Sequence, residues 1–109
     1  MKRDRLYLTH IRDAIEKIVA YTAEGRDAFM SDPKTQDAVV RNFEIIGEAT
    51  KRLSDEAKGR RPQTPWRAVA GFRDILIHDY ERVDYLEVWN IVANDLPQLQ
   101  DAVNALLGS

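Results

Sequence analysis

Cysteine is missing from all 109 residues, so this chain holds neither a disulfide framework nor a thiolate metal site. Histidine is scarce: His10 and His78 are the only two. That is too few for a histidine-dominated metal centre, although carboxylates can still bind magnesium weakly. Glycine and proline number five and four, and no glycine-rich phosphate loop, Walker pattern or internal repeat occurs. No segment alternates apolar and polar residues convincingly with period two, so the signature of a sheet is absent. No apolar run reaches the length of a membrane helix. The N-terminal Met1-Lys2-Arg3-Asp4-Arg5 is not followed by a signal-type hydrophobic block, and the expectation is a cytoplasmic protein without a membrane segment.

Excess charge of one sign is lacking too. Lys and Arg total 16 against 18 Asp and Glu, a net charge of -2. Proteins that coat RNA or DNA generally carry a broad basic surface, which argues against indiscriminate nucleic-acid binding. Any RNA has to be met in a local cationic cleft. Lys51, Arg52, Lys58, Arg60, Arg61, Arg67 and Arg73 are the candidates for it, and a solvated surface near a loop explains the same residues.

What is present is helical pattern, with 44% hydrophobic and 31% charged residues in one domain-sized chain. Leu8, Ile11, Ile15, Ile18, Val19 and Thr22 predict an amphipathic helix closing near Gly25. Ala28-Phe29-Met30 form a short apolar patch ended by Ser31-Asp32-Pro33. A long helix follows, striped by Val39, Phe43, Ile46, Thr50 and Leu53. Gly47 inside it costs about 1 kcal/mol relative to alanine, a cost that close approach of a neighbouring helix would offset. Ser54 is placed to cap a single turn. Gly59 to Thr64 reads as a basic loop, and Thr64-Pro65 as a helix start with a capping hydroxyl. The next helix buries Trp66, Val69, Ala70, Leu76 and Ile77. Asp84 and Glu87 fit a capping box, Val83 and Val88 a hydrophobic staple. Trp89, Val92, Leu96, Leu99, Val103 and Leu106 stripe the last helix, which Pro97 should kink or split. The expected fold is all-α: an antiparallel bundle of four to five helices, one domain over residues 1–109, dimeric to cover leftover apolar surface.

The chemistry concentrates in Arg73-Asp74-Ile75-Leu76-Ile77-His78-Asp79-Tyr80. Arg73 and Tyr80 are seven residues apart, about two turns, and on a continuous helix share nearly one face. His78 lies about 7.5 Å along the axis from Arg73 and about 140° around it. Asp74 and His78 stand at i and i+4, so the carboxylate can hold the imidazole in one orientation. A cation for phosphate beside a proton-transferring imidazole is what metal-free RNA cleavage needs. The plain reading of the same residues is a histidine complementing a helix C-terminus, a snorkelling arginine and a tyrosine at the core edge. One chain offers a single well-placed histidine, whereas a two-fold dimer would offer two histidines and two arginines around one cleft. His10 reads as structural or solvated.

At these residues the chain resembles the HEPN superfamily, and more closely its HepT-like toxin branch. Arg73-Asp74, His78 and Tyr80 match the branch's arginine, polar residue, histidine and tyrosine. The likeness extends through Pro65-Trp66-Arg67, Gly71-Phe72, Val83-Asp84 and Trp89, and upstream through Asp32 to Val39, Arg41-Asn42 and Gly47-Glu48-Ala49. It implies a helical-bundle RNA endonuclease of a toxin–antitoxin pair, active as a homodimer without cofactor or metal. Its substrate would be transfer or messenger RNA. Arg73 would hold the scissile phosphate and His78 would transfer protons. Asp74 fills a slot more familiar as asparagine, which either lowers activity or leaves Asp74 to orient His78. An MNT-type nucleotidyltransferase antitoxin would transfer AMP to Tyr80, neutralising Arg73 and filling the cleft. Two other readings stand beside this one. One is a non-catalytic helical partner that binds and regulates a nucleotidyltransferase; the other is a nucleotide-sensing bundle, which ATP or AMP alone would stabilise.

Overall fold

The computed structural model describes residues 2–108, so Met1 and Ser109 of the expected 1–109 domain lie outside the described residues. The chain is all-helical: seven α-helices and one 3₁₀ turn are seen among the described residues, with no strand. The two longest, α1 (Lys2–Tyr21) and α3 (Pro33–Arg52), pack side by side. They run antiparallel, because Asp4 near the start of α1 accepts from the Ser54 backbone N at 2.8 Å just beyond the end of α3. The Ser54 hydroxyl donates to the same carboxylate. At the same end Arg5 donates to the Leu107 carbonyl at 3.0 Å, which sets the last helix antiparallel to α1 as well.

The expected stripes form the core. Leu8, Ile11, Ile15 and Ile18 of α1 meet Val39, Phe43 and Ile46 of α3, and Leu99, Val103 and Leu106 close over them. Each such side chain contributes roughly 1.5–3 kcal/mol on leaving water. Val19 departs from the expected stripe and is 48% exposed. It stands about 100° around the helix from Ile18, while the 3–4 spacing continues to Thr22, which is buried and donates to the Ile18 carbonyl at 2.7 Å.

Local chemistry sets the element ends. Short α2 (Arg26–Ser31) carries Phe29 into the core, its ring 6.3 Å from Tyr85 and 5.8 Å from Trp89. Asp32 then caps α3, accepting from Lys34 N and the Thr35 hydroxyl, with Pro33 at the first turn, where no amide proton is missed. Ser54 caps the five-residue α4 (Asp55–Gly59) as expected, accepting from Ala57 N at 3.1 Å. The expected Thr64 hydroxyl cap is not made. Helix α5 (Trp66–His78) begins with Pro65 in the capping position, and the Thr64 carbonyl, not its hydroxyl, takes the Trp66 N–H at 2.8 Å. The buried Trp66 indole donates to the carbonyls of Lys58 and Arg61, tying the basic loop to α5. Asp84 caps α6 (Tyr85–Asn94) through Leu86 N and Glu87 N. The last helix is split as Pro97 predicts, α7 (Leu96–Gly108) starting after the break at Asp95.

Helix α5 packs mainly on α3, and Gly47 makes that possible. A Cβ built there would overlap the Arg73 Cβ and lie 3.4 Å from the Ala70 carbonyl oxygen, so the close approach expected at this glycine is present. Phe43 and Phe72 lock the same pair of helices edge-to-face, 5.4 Å between centroids. No helix among the described residues is long and apolar enough to cross a membrane.

Candidate active site on helix α5

Arg73 is the best-held charged group of the site. Its Nε forms an ion pair with Glu48 Oε2 at 3.1 Å and its Nη1 donates to Asp74 Oδ1 at 3.1 Å, with the side chain 28% exposed. Glu48 also binds Arg52, one turn along α3, at 3.0 Å from Nη2 and 3.1 Å from Nε. Lys51 reaches across from α3 to Asp74 Oδ1 at 2.9 Å. Three cations thus interlock with two carboxylates at the α3–α5 seam. A guanidinium carries five N–H donors, and the Nη2 pair of Arg73 meets no acceptor among the described residues. A planar guanidinium held through Nε and Nη1, with its Nη2 donors left over, suits contact with phosphate.

Asp74 therefore belongs to the cross-helix network and not to the imidazole. The hydrogen bond from Lys51 foremost, with Arg73 beside it, holds the Asp74 carboxyl below the ordinary aspartate range despite some desolvation. The expected i,i+4 pairing with His78 is not formed. His78 is the last residue of α5, exposed, with no hydrogen bond or ion pair among the described residues. The Lys51 ammonium at 2.9 Å and the Arg73 guanidinium at 3.1 Å outcompete an exposed ring for one carboxylate.

The expected shared face of Arg73 and Tyr80 is also replaced. Helix α5 stops at His78, Asp79 leaves helical geometry, and Tyr80 opens a 3₁₀ turn (Tyr80–Arg82) in which its side chain is 70% exposed. Ile77, expected in the core, is 37% exposed and lines a hollow beside Arg73. Arg73 leans toward the seam with α3 while His78 is exposed to solvent. The basic candidates divide as well. Lys51, Arg52 and Arg73 gather at the seam, whereas Arg60 and Arg61 line an apolar groove of about 810 Å³. That groove runs between α5 and the α6–α7 arm, with Phe43, Phe72, Ile75 and Leu99 in its walls.

Two residues escaped the pattern of the sequence, Glu48 at the site and Asp4 in the scaffold. Glu48 stood in the sequence only within the Gly47-Glu48-Ala49 resemblance, although it lies at i,i+4 spacing from Arg52. Asp4, buried near the start of α1, had no local signal at all, because its partner is 50 residues away.

Comparison with known proteins identifies the family. The ribonuclease HepT-like family model matches residues 11–106, which takes in every residue of the seam. A protein of Thermococcus cleftensis named "Probable ribonuclease HepT" is 45% identical over 102 residues, 92% of this chain and 93% of that protein. A candidate RNase of Methanocaldococcus jannaschii is 41% identical over 98 residues, 88% of this chain and 81% of its own length. One from Caldanaerobacter subterraneus is 38% identical over 111 residues, covering 98% and 96%. No solved structure matches the chain closely enough to count as a relative.

Proposed function

The chain belongs to the HepT-like ribonuclease family, and from that premise we propose that it is a toxin-type RNA endonuclease that works as a two-fold dimer and is neutralised by a nucleotidyltransferase antitoxin. The observation that carries the reading is the pairing of Arg73, held by Glu48 and Asp74 through Nε and Nη1 with its Nη2 donors left over, with an unpartnered, exposed His78 five residues on.

The dimer answers a geometric need. Arg73 and His78 sit about 140° apart on one helix, too far round to close on a single phosphate without help. Around α5 the exposed Ile77 stands between them, about 40° from Arg73 and about 100° from His78. A second copy laid on that side would cover the isoleucine and bring two imidazoles and two guanidiniums around one slot. One His78 then takes the proton from the ribose 2′-hydroxyl as its oxygen attacks phosphorus. The bond to the 5′-oxygen breaks and the partner's His78, protonated, gives that oxygen its proton. The products are a 2′,3′-cyclic phosphate and a free 5′-hydroxyl. Arg73 stabilises the charge that builds on the non-bridging oxygens. These steps need no metal.

Silencing follows from Tyr80. Its exposed phenol oxygen is open to attack the α-phosphorus of an ATP held by the antitoxin, forming a phosphodiester and releasing pyrophosphate. The added AMP then supplies an anion for Arg73 and blocks the slot.

Cleavage of RNA with a chelator present, by wild type, His78→Ala and Arg73→Ala, tests the reading. Wild type should cut, and each variant should lose activity and growth inhibition while remaining a folded dimer in size-exclusion and circular-dichroism measurements. Undiminished cutting by His78→Ala would sink the assignment. A wild-type chain that binds the nucleotidyltransferase and cuts no RNA supports the regulatory-partner reading, in which Arg73 serves only to bridge α3 and α5.

A further inference from the structure

Beside Arg73, on the side facing α1, lies a hollow of about 330 Å³ walled by α1, α3 and α5. Its polar lining sets Arg41, Arg52 and Arg73 against the carboxylates of Glu44 and Glu48, with Tyr7 and His10 beside them. The rings of Tyr7 and His10 meet edge-to-face, 6.1 Å between centroids at 79°. The Arg52 guanidinium sits 6.0 Å from the centre of the Tyr7 ring, within the range where a cation is drawn to an aromatic face. Glu48 ties this hollow to the reaction site, because one carboxylate holds both Arg52 and Arg73.

These groups match the needs of an unpaired nucleotide. Single-stranded RNA is read by splaying out a base, stacking it on an aromatic ring or an arginine plane, and bonding its edge. Tyr7, His10 and Arg52 are stacking surfaces, and Glu44, its carboxylate 3.8 Å from Arg41, is an acceptor for base N–H groups. The volume stands at the low end for ligand pockets, roughly 300–1,000 Å³, and is enough for one base. A phosphate at Arg73 and a base in the hollow would be neighbours along one strand.

We propose that the Tyr7–His10–Arg52 hollow is a base subsite, taking one unpaired nucleotide next to the phosphate held at Arg73 and restricting the enzyme to single-stranded RNA. The word enzyme here rests on the ribonuclease reading above; the subsite itself does not.

The test uses the full chain in wild-type form and as Tyr7→Phe, Tyr7→Leu and His10→Ala, with thermal melts to show that each folds. Fluorescence anisotropy measures binding of a single-stranded 2′-deoxyoligonucleotide, which cannot be cut, and of the same strand made abasic. Steady-state kinetics follow the matching RNA. Tyr7→Leu and His10→Ala should weaken binding and raise KM about 5- to 150-fold, the range for one stacked base, with kcat unchanged. Tyr7→Phe keeps the ring and should lose less affinity than Tyr7→Leu, and on the abasic strand all four proteins should bind alike. His10 is exposed, so His10→Ala carries the test if Tyr7→Leu fails to fold. Equal affinity of His10→Ala and wild type for the base-bearing strand, or an equal loss on the abasic strand, overturns the subsite. A wild type that binds through Tyr7 and His10 yet cuts no RNA overturns the ribonuclease reading and leaves the subsite standing.

Discussion

Replacing Gly47 by alanine sets two effects of one methyl group against each other. Alanine in a helix interior is favoured over glycine by about 1 kcal/mol, so on propensity alone the variant should be more stable. Against this, the new Cβ would overlap the Arg73 Cβ and press on the Arg73 Cα and the Ala70 carbonyl oxygen, both 3.4 Å away. Carbon atoms settle near 3.5–4.0 Å apart. The obstacle is the root of a side chain and its backbone, which no rotamer change can move aside. Helix α5 therefore has to retreat as a body by roughly 1 Å. Overpacking of this sort costs about 1–3 kcal/mol, leaving a net loss near 1 kcal/mol, or about 4–8 °C in Tm for a domain of about this size. Activity should suffer more, because the retreat pulls Arg73 off Glu48, and a misplacement of about 1 Å can cost roughly a hundredfold in rate. Calorimetry and RNA-cleavage kinetics on the same preparation read both quantities. Gly59→Ala, where nothing lies within 4 Å of the added methyl, is the control and should keep stability and rate. If Gly47→Ala melts above wild type and cuts RNA at the wild-type rate, the close α3–α5 approach is not what positions Arg73.

Two further substitutions probe the scaffold. Burial acts to raise the Asp4 carboxyl, but the two hydrogen bonds from Ser54 prevail and hold it below its ordinary 3.8. A carboxyl lowered on folding contributes stability that is complete above the unfolded value and is lost as pH falls through the folded one. Asp4→Ala should therefore cost about 1.5–3 kcal/mol at pH 7, with a deficit that shrinks below about pH 4. Urea unfolding across pH checks this, and a deficit as large at pH 2 as at pH 7 contradicts it. Thr50 is fully buried on α3, and its hydroxyl finds no partner among the described residues. Thr50→Val keeps the shape and removes the unpaired oxygen, so it should stabilise by about 1 kcal/mol with activity intact. A loss of stability in denaturant titration would mean that the hydroxyl is bonded.

Much of the architecture was legible from local pattern. Recurrence at three and four residues marked the core faces of α1, α3 and α7, because burying one stripe is the main source of helix stability in a small bundle. Ser54 and Asp84 announced helix starts, since a short polar side chain at that position satisfies amides left over by the first turn. Pro97 announced the break before α7, and Gly47 a tight crossing. The motif residues were visible as types and spacings.

Which charges meet was not legible. Spacing assigned Asp74 to His78 one turn on, but the crossing of α3 and α5 brings Lys51 to it at 2.9 Å, and a cross-helix ion pair outweighs a local bond to a solvated ring. Spacing put Arg73 and Tyr80 on one face, and the end of α5 at His78 undid that. Glu48 as the clamp of Arg73, and His10 beside Tyr7 in a hollow, join three helices far apart in the chain. Periodicity and capping are properties of neighbours along the chain, so the sequence alone determined the helices and their buried faces. Only the packing of α1, α3 and α5 decided the hydrogen-bond and charge partners of the site, because those are properties of neighbours in space.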